Sequence, residues 1–535
     1  MKSRRNKSLK ILSLHQLKNA FNISRQTNRI QSRDLNALMQ EHAQALVTRR
    51  KFIGDTAKAA AVISIAGLYE ACNPKNKVTQ PQIVIVGAGI AGLHAAYILK
   101  NAGYTAHIYE GSPRAGGRIM SVNDMMGEGL WTEMGGEFID TDHEDMINLA
   151  KKFDLPMLDR VVESEKSLKE FCYYFQGKHL TLEDVLKEIH PVAEKISADI
   201  NSLSDEITFE KHTADDQRLD NMSIAGYIDS LGIKGWFRDF ISSSYTAEYG
   251  LDISEQSAIN FLSMFDPGDE QGYKLYGSSD ERFSIVGGNQ KLTDIIESRL
   301  SDQIHKEHIL KAISQKESKK YSLSFQISSS STTDVEADIV LLTLPFTALR
   351  EVDIKLPLPD WKKNVIKNLG YGTNSKLFVG VNDRIWRNQG YTGYSFSDNI
   401  MSNGYDHTQM QNSNQGPGGF TIFLGGKTGL DCGSMDLGEL QSQYVPALDQ
   451  IYSGINDSFN GRFQRWHWPS YVFSKCSYTS YKVGQYTTLS GAAQKPVDNL
   501  FFAGEHCSYE FQGFMNGGAQ TGREAAETII EKLKA

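Results

Sequence analysis

The arrangement of apolar positions changes character along the chain. Residues 59–68 form a short, almost unbroken apolar stretch behind a basic segment. Ten residues are too few to span a bilayer but suit the hydrophobic part of a signal segment. From Gln82 the pattern becomes strand, glycine turn, helix, strand. Ile83-Val84-Ile85-Val86 is an apolar run without alternation, as in a parallel strand covered on both faces. Residues 90–102 carry helical spacing and stop at Gly103, and residues 105–109 form the next strand. Helical stretches dominate from about 145 to 280, residues 181–203 and 224–231 among them. Residues 320–350 and 372–382 are strand-rich, whereas 398–419, polar and rich in Gly, Asn and Ser, read as loop. No repeat of fixed period is evident. A chain of 535 residues exceeds one hydrophobic core, so two domains are expected.

Composition adds two constraints. With 40% hydrophobic and 22% charged residues the chain is an ordinary globular mixture. Its net charge of −8 is unevenly placed: residues 1–72 carry 13 Lys/Arg against 4 Asp/Glu, and the remainder 43 against 60. A body this acidic argues against nucleic acid and against anionic membrane surfaces. The five cysteines, Cys72, Cys172, Cys432, Cys476 and Cys507, form no zinc-ligand spacing and no dense disulfide framework; one bridge stays open in an oxidising compartment. Thr48-Arg49-Arg50-Lys51-Phe52-Ile53, ahead of the apolar stretch, resembles a twin-arginine export motif. The expectation is therefore a targeting segment over 1–72, a linker over 73–81, a partner in the twin-arginine export machinery and a periplasmic location. Met39 is an alternative start. Leu68-Tyr69-Glu70-Ala71-Cys72 loosely resembles a lipoprotein cleavage box, with Tyr69 and Glu70 fitting poorly, so an anchor at Cys72 is left open.

The candidate chemistry begins at Gly87-Ala88-Gly89-Ile90-Ala91-Gly92, a G-x-G-x-x-G directly after a strand and opening a helix. Gly87 permits the tight turn, Gly89 lets backbone approach a pyrophosphate, and Gly92 lets helix and strand pack closely. The helix N-terminus offers unpaired N–H groups to the phosphates. Glu110 ends the second strand, 18 residues beyond Gly92, where a carboxylate can take both ribose hydroxyls and disfavours a 2′-phosphate. Arg114, Gly117 and Arg118 follow in Glu110-Gly111-Ser112-Pro113-Arg114-Ala115-Gly116-Gly117-Arg118, where glycines and guanidinium groups can approach phosphate.

This stretch resembles the flavin amine oxidase superfamily, which includes monoamine, polyamine and L-amino-acid oxidases. Further pieces follow in family order over about 82–535: Glu133-Met134-Gly135-Gly136-Glu137-Phe138-Ile139, Val286-Gly287-Gly288-Asn289-Gln290-Lys291-Leu292, Val340-Leu341-Leu342-Thr343-Leu344-Pro345, Leu500-Phe501-Phe502-Ala503-Gly504-Glu505-His506, and residues 513–522. The resemblance implies an α/β fold. In it a Rossmann-type FAD-binding domain of glutathione-reductase-like form (82–145, 281–352 and 476–535) interleaves with an α+β substrate domain, helical over 146–280 and sheet over 353–475. By the family pattern Gly135 and Gly136 lie near the flavin, and Glu505 binds the phosphate or ribityl region. Backbone near Met515 faces the isoalloxazine, and Leu310 stands where an adenine contact is usual.

Catalytically, the resemblance points to Lys376, in Tyr371-Gly372-Thr373-Asn374-Ser375-Lys376-Leu377-Phe378 with Trp386 ten residues on, as the lysine that holds a water against flavin N5. The competing reading is a strand lysine facing solvent. Tyr478 and Phe514 are the implied aromatic pair that flanks the amine. Cys476 lies near the cysteine to which monoamine oxidases attach flavin. Counting from the cage aromatic instead puts Ser477 there, and Lys475 replaces the usual preceding glycine, which favours noncovalent FAD. The implied reaction passes hydride from an amine to flavin, gives an imine, then an aldehyde or keto acid plus ammonia, and reduces O2 to H2O2. Gly136-Glu137-Phe138 occupies the place where L-amino-acid oxidases commonly carry a carboxylate-binding arginine; Asp140 and Glu137 are read equally as facing a cation or as solvated acids. An L-amino-acid oxidase, a flavin desaturase or dehydrogenase, and a non-catalytic flavoprotein remain alternatives.

Overall fold

The unalternating run Ile83–Val86 forms the middle strand of a five-stranded parallel sheet. Ala106–Tyr109 and Ile339–Leu342 flank it, and Ile304–His305 and Leu500–Phe502 form the edges. Ile83–Val86 and Ile339–Leu342 are buried along their whole lengths, because both sheet faces are covered. Helix Ile90–Asn101 and the C-terminal helix Met515–Lys534 cover one face through Leu93, Ala96, Ala519, Ala526 and Ile529. A four-stranded sheet, ordered Ser331–Ala337, Tyr321–Ser328, Ile309–Gln315, Asp353–Lys355, covers the other through Ile313, Leu323 and Phe325. In this computed structural model residues 81–269, 272–328 and 331–535 are described, so the export segment, Cys72 and all of the expected linker but residue 81 lie outside them.

The second body is a seven-stranded sheet ordered Phe459–His467, Ser375–Val381, Gly418–Leu424, Asn403–Asp406, Tyr391–Ser397, Lys169–Phe175, Lys178–Leu180. Helix Leu437–Ile451 packs on the cluster of Leu377, Val379, Phe420 and Ile422. Helices Leu182–Ser202, Ile224–Ser230 and Trp236–Tyr249 pack on Tyr173, Phe175 and Phe396. The first of these starts at a capping box in which Thr181 and Asp184 each satisfy the other's backbone N–H.

Three expectations differ from this arrangement. The polar stretch 398–419 holds the strand Asn403–Asp406, buried throughout. Several of its polar groups are satisfied by tertiary contacts: Asp406 accepts from Trp386 Nε1 at 3.0 Å and from Thr408, and Gln411 bonds both main-chain groups of Trp131, whereas the Asn403 side chain has no partner among the described residues. Residues 353–368 belong beside the parallel sheet rather than the substrate-side sheet. Asp353–Lys355 pairs in parallel with Ala312–Ser314, and helix Asp360–Asn368 buries Val365 and Ile366 in the same cluster. Conversely, the region expected to be helical supplies the two strands that complete one edge of the seven-stranded sheet. The four described cysteines are free and buried. No helix among the described residues is long and apolar enough to cross a membrane.

Candidate active site

One cleft runs from the end of Ile83–Val86 to the seven-stranded sheet, and its two ends differ in chemistry. At the first end Gly87 and Gly89 line the wall. Gly92 is packed instead: a Cβ there would lie 2.1 Å from Gly87 O, so helix and turn approach as only glycine allows. A Cβ on Gly89 would meet only Gly117 Cα, at 4.0 Å, so that space is left free of protein. Helix Ile90–Asn101 has no side-chain cap, which leaves its first N–H groups available to an anion. Glu110 is held by Ala88 N–H and Ser112 N–H, each donating at 2.7 Å. Burial raises its carboxyl above the usual range, and those two bonds oppose the shift.

Arg114, expected beside phosphate, turns back on its own loop. It donates to Ala115 O and Ile119 O at 3.1 Å and to Gly117 O, and it is not on the cleft wall. It fastens the glycine loop. Gly117 and Arg118 do line the cleft. Arg118 Nη1 donates at 2.8 Å to both Ser477 O and Glu505 Oε1, while Glu505 Oε2 accepts from Gly513 N–H at 2.9 Å. Although burial opposes it, the Arg118 guanidinium holds the Glu505 carboxyl below its ordinary value. Gly135, Gly136, Leu310 and Met515 are also on the wall. A Cβ on Gly136 would fall 2.5 Å from Met515 Cγ, so this loop and the C-terminal helix meet closely there. A glycine turn with free N–H groups, a buried carboxylate and room at Gly89 fit the diphosphate and ribose of a dinucleotide.

At the other end Lys376 projects from the inner strand Ser375–Val381, paired with Phe423 on one side and Trp466 on the other. A strand bonded on both edges, with the residue 3% exposed, removes the solvent-facing reading. Its ammonium donates to Glu137 Oε2 at 2.8 Å, Gly135 O at 3.0 Å and Glu133 O at 3.1 Å. All three donors are thereby used. Tyr405 hydroxyl donates to the same Glu137 oxygen at 2.7 Å. Glu137 is thus one half of a buried ion pair rather than a solvated acid.

Tyr478 and Phe514 both line the cleft. Tyr478 hydroxyl donates to Glu248 O, and Phe514 makes an edge contact with His143 at 5.0 Å. Trp386 is not on the wall; its indole packs on Phe420 behind the strand. Cys476 is likewise behind the wall, its thiol 3.3 Å from Thr347 Oγ1 and pushed up to about 11 by burial, while Ser477 lines the cleft.

Sequence reasoning missed two acids of this chamber, Glu248 and Glu281. Neither carboxylate accepts a hydrogen bond among the described residues. Burial pushes Glu248 up to about 7, with Asp140 adding to it. Burial pushes Glu281 up to about 8; Arg160 opposes this, and Glu248, Asp140 and Glu137 add to it. Glu281 has a left-handed backbone, φ +43°, and its N–H donates to Asp140 Oδ1 at 2.9 Å, so Asp140 is a buried clasp for the loop. Tyr249, Tyr276, Tyr394, Tyr405 and Phe423 complete the walls. Of the cations on the wall, Arg118 and Lys376 are paired with carboxylates and Lys311 lies beside Leu310 at the dinucleotide end. Nothing local in the sequence marks Glu248 or Glu281.

The comparisons with known proteins agree with this geometry. The description "Flavin containing amine oxidoreductase" matches residues 90–530. An L-amino-acid oxidase of Bothrops moojeni is 24% identical over 482 residues, covering 86% of this chain and 91% of the relative. One from Crotalus adamanteus is 23% identical over 481 residues, covering 86% and 88%. Among solved structures, putrescine oxidase bound to putrescine aligns with a TM-score of 0.70 at 19% identity over 84% of this chain and 99% of that one. Cyclohexylamine oxidase from Brevibacterium oxydans gives 0.72 at 19%, over 85% and 100%. With its dinucleotide cleft opening on a buried lysine and aromatic chamber, the chain belongs to the flavin containing amine oxidoreductase family and is an FAD-dependent amine oxidoreductase.

Proposed function

We propose that the protein oxidises the C–N bond of an amine that carries no carboxylate and bears a second cationic group. The observation behind this reading is a single cleft that joins the dinucleotide end to a chamber in which, among the described residues, two carboxylates have no partner and no cation on its wall is unpaired. The sheet and glycine turn are read as a Rossmann-type FAD site. Bound FAD supplies two-electron oxidation and the return of electrons to O2, giving H2O2. The residues of the chain supply the rest. The amine must be neutral to react, because its nitrogen lone pair forms the C=N bond as hydride leaves the α-carbon; the nitrogen proton is then lost. Tyr478, Phe514 and the tyrosine walls strip water from the ammonium and so favour its deprotonation. Lys376 and Glu137 hold the Glu133–Glu137 segment against the chamber. Glu248 and Glu281 face a cation at the far end of the substrate. The imine product is hydrolysed to an aldehyde and ammonia.

The second reading, an L-amino-acid oxidase, is favoured by the relatives at 23–24% identity. It needs a cation for the substrate carboxylate, and Arg160, whose charge acts on Glu281, is the candidate. That guanidinium lies over the Phe138 ring at 4.2 Å and bonds Gln409 at 2.8 Å, away from the cleft wall. A peroxide-coupled panel of monoamines, diamines and L-amino acids tests the choice. Diamines turned over with kcat/KM at least tenfold above monoamines of equal length are expected. Turnover confined to L-amino acids supports the second reading, and flavin reduction without peroxide supports a dehydrogenase. We also propose export to the periplasm in the folded, flavin-loaded state, on the strength of Thr48–Ile53 and the apolar stretch behind it.

A further inference from the structure

His107 and His305 lie on neighbouring parallel strands at the edge of the five-stranded sheet, away from the chamber. His305 stands opposite Tyr109, and His107 is two residues before Tyr109 on the same strand face. His107 Nδ1 and His305 Nε2 are 3.2 Å apart. Two neutral rings can share a hydrogen bond at that separation. It is also close to the roughly 3.3 Å that a tetrahedral ion with bonds of about 2.0–2.1 Å sets between two ligand nitrogens. We infer that His107 and His305 form a two-imidazole site for a borderline transition-metal ion, Zn2+ or Cu2+, beside the dinucleotide end of the cleft.

Three observations support it. The converging nitrogens have no other partner among the described residues. The His305 ring is already fixed: it stacks on Tyr109 at 4.7 Å and 19°, and Tyr109 stacks on Phe325 at 4.5 Å and 18°, so binding requires little further ordering. His107 is exposed and His305 half-buried, which leaves the remaining coordination positions to water and makes the ion exchangeable. His308 is near, but its Nδ1 is engaged by Lys306 O at 2.7 Å. An ion held here would tie the edge strand to the strand that leads into Glu110, whose N–H donates to His305 O at 2.9 Å.

The test uses chelator-stripped, FAD-loaded full-length protein. Titration with ZnCl2 by calorimetry is expected to show one saturable site per chain, and Cu2+ electron paramagnetic resonance to show coupling to two nitrogens. Both His107→Ala and His305→Ala are expected to weaken Zn2+ at least tenfold and to remove the two-nitrogen pattern. His107 is exposed, so its variant folds normally, and an unchanged flavin spectrum confirms this. No saturable binding, or binding by His107→Ala equal to wild type, overturns the inference and leaves a hydrogen-bonded histidine pair.

Discussion

Replacing Lys376 by Met separates its two roles, holding the wall and serving the reaction. Methionine keeps length and apolar packing but removes bonds to Glu137, Gly135 O and Glu133 O at 2.8, 3.0 and 3.1 Å. Breaking one side of a buried ion pair costs about 3–5 kcal/mol, because the remaining charge is left without its partner. Glu137 keeps the Tyr405 hydroxyl at 2.7 Å, so the lower end, about 3 kcal/mol, is expected. Adding Glu137→Gln removes the stranded charge and should recover roughly 1–2 kcal/mol of stability without restoring the rate. For the rate, one polar group positioned at the reacting centre corresponds to about 2.7 kcal/mol, or ~100-fold. All three Lys376 donors are used in this arrangement, so a water held beside the flavin would replace one of the two carbonyl acceptors. Urea unfolding of the FAD-loaded protein reads the first quantity. Rapid mixing with amine under nitrogen, then with oxygen, reads the second and shows which half-reaction the lysine serves. Wild-type rates in both half-reactions would reduce Lys376 to a structural post. Unchanged stability would show that the ion pair contributes nothing.

Gly89→Val should fold with near wild-type secondary structure yet emerge colourless, since its side chain enters space the protein leaves free but a pyrophosphate needs; absorbance at flavin wavelengths and circular dichroism check this. Glu248 and Glu281 ionise as pH rises through about 7 and about 8, so KM for a dicationic substrate should fall from pH 6 to 8.5 relative to a monoamine of equal length. The trend should flatten in Glu248→Gln and Glu281→Gln, and steady-state kinetics across that range decide it. Because both carboxyls are raised above their ordinary pKa, the folded state holds protons that the unfolded chain has released. Their contribution to the thermal stability of the substrate-free protein should therefore fall as pH rises from about 4.5 through 8, so wild type should lose stability relative to Glu281→Gln across that range. Replacing Arg49 and Arg50 by Lys should keep the flavoprotein in the cytoplasm, as cell fractionation will show; unchanged export would point to another signal.

Much of the dinucleotide end was legible in the sequence because its rules are local. Gly87, Gly89 and Gly92 answer to steric limits within one turn, and the unalternating run Ile83–Val86 announces a strand covered on both faces. The place of Lys376 followed from its surrounding pattern, but its environment did not. Glu137 is 239 residues away in the chain, and only the pairing of Ser375–Val381 between two other strands turns that lysine inward. The segment 398–419 read as loop because it is polar; tertiary contacts to Trp386 and Trp131 satisfy Asp406 and Gln411 and let it enter the sheet. Arg114 carried the right chemistry for phosphate, yet its nearest acceptors are the carbonyls of its own loop. Glu248, Glu281 and Asp140 lie in three separate segments with no shared periodicity. Their charge matters because packing encloses them in one chamber and leaves two without partners. Chain-neighbour sterics write the glycine turn and the strand into the sequence. Burial and unpaired charge depend on the elements folding brings beside a residue, so only the tertiary structure decides them.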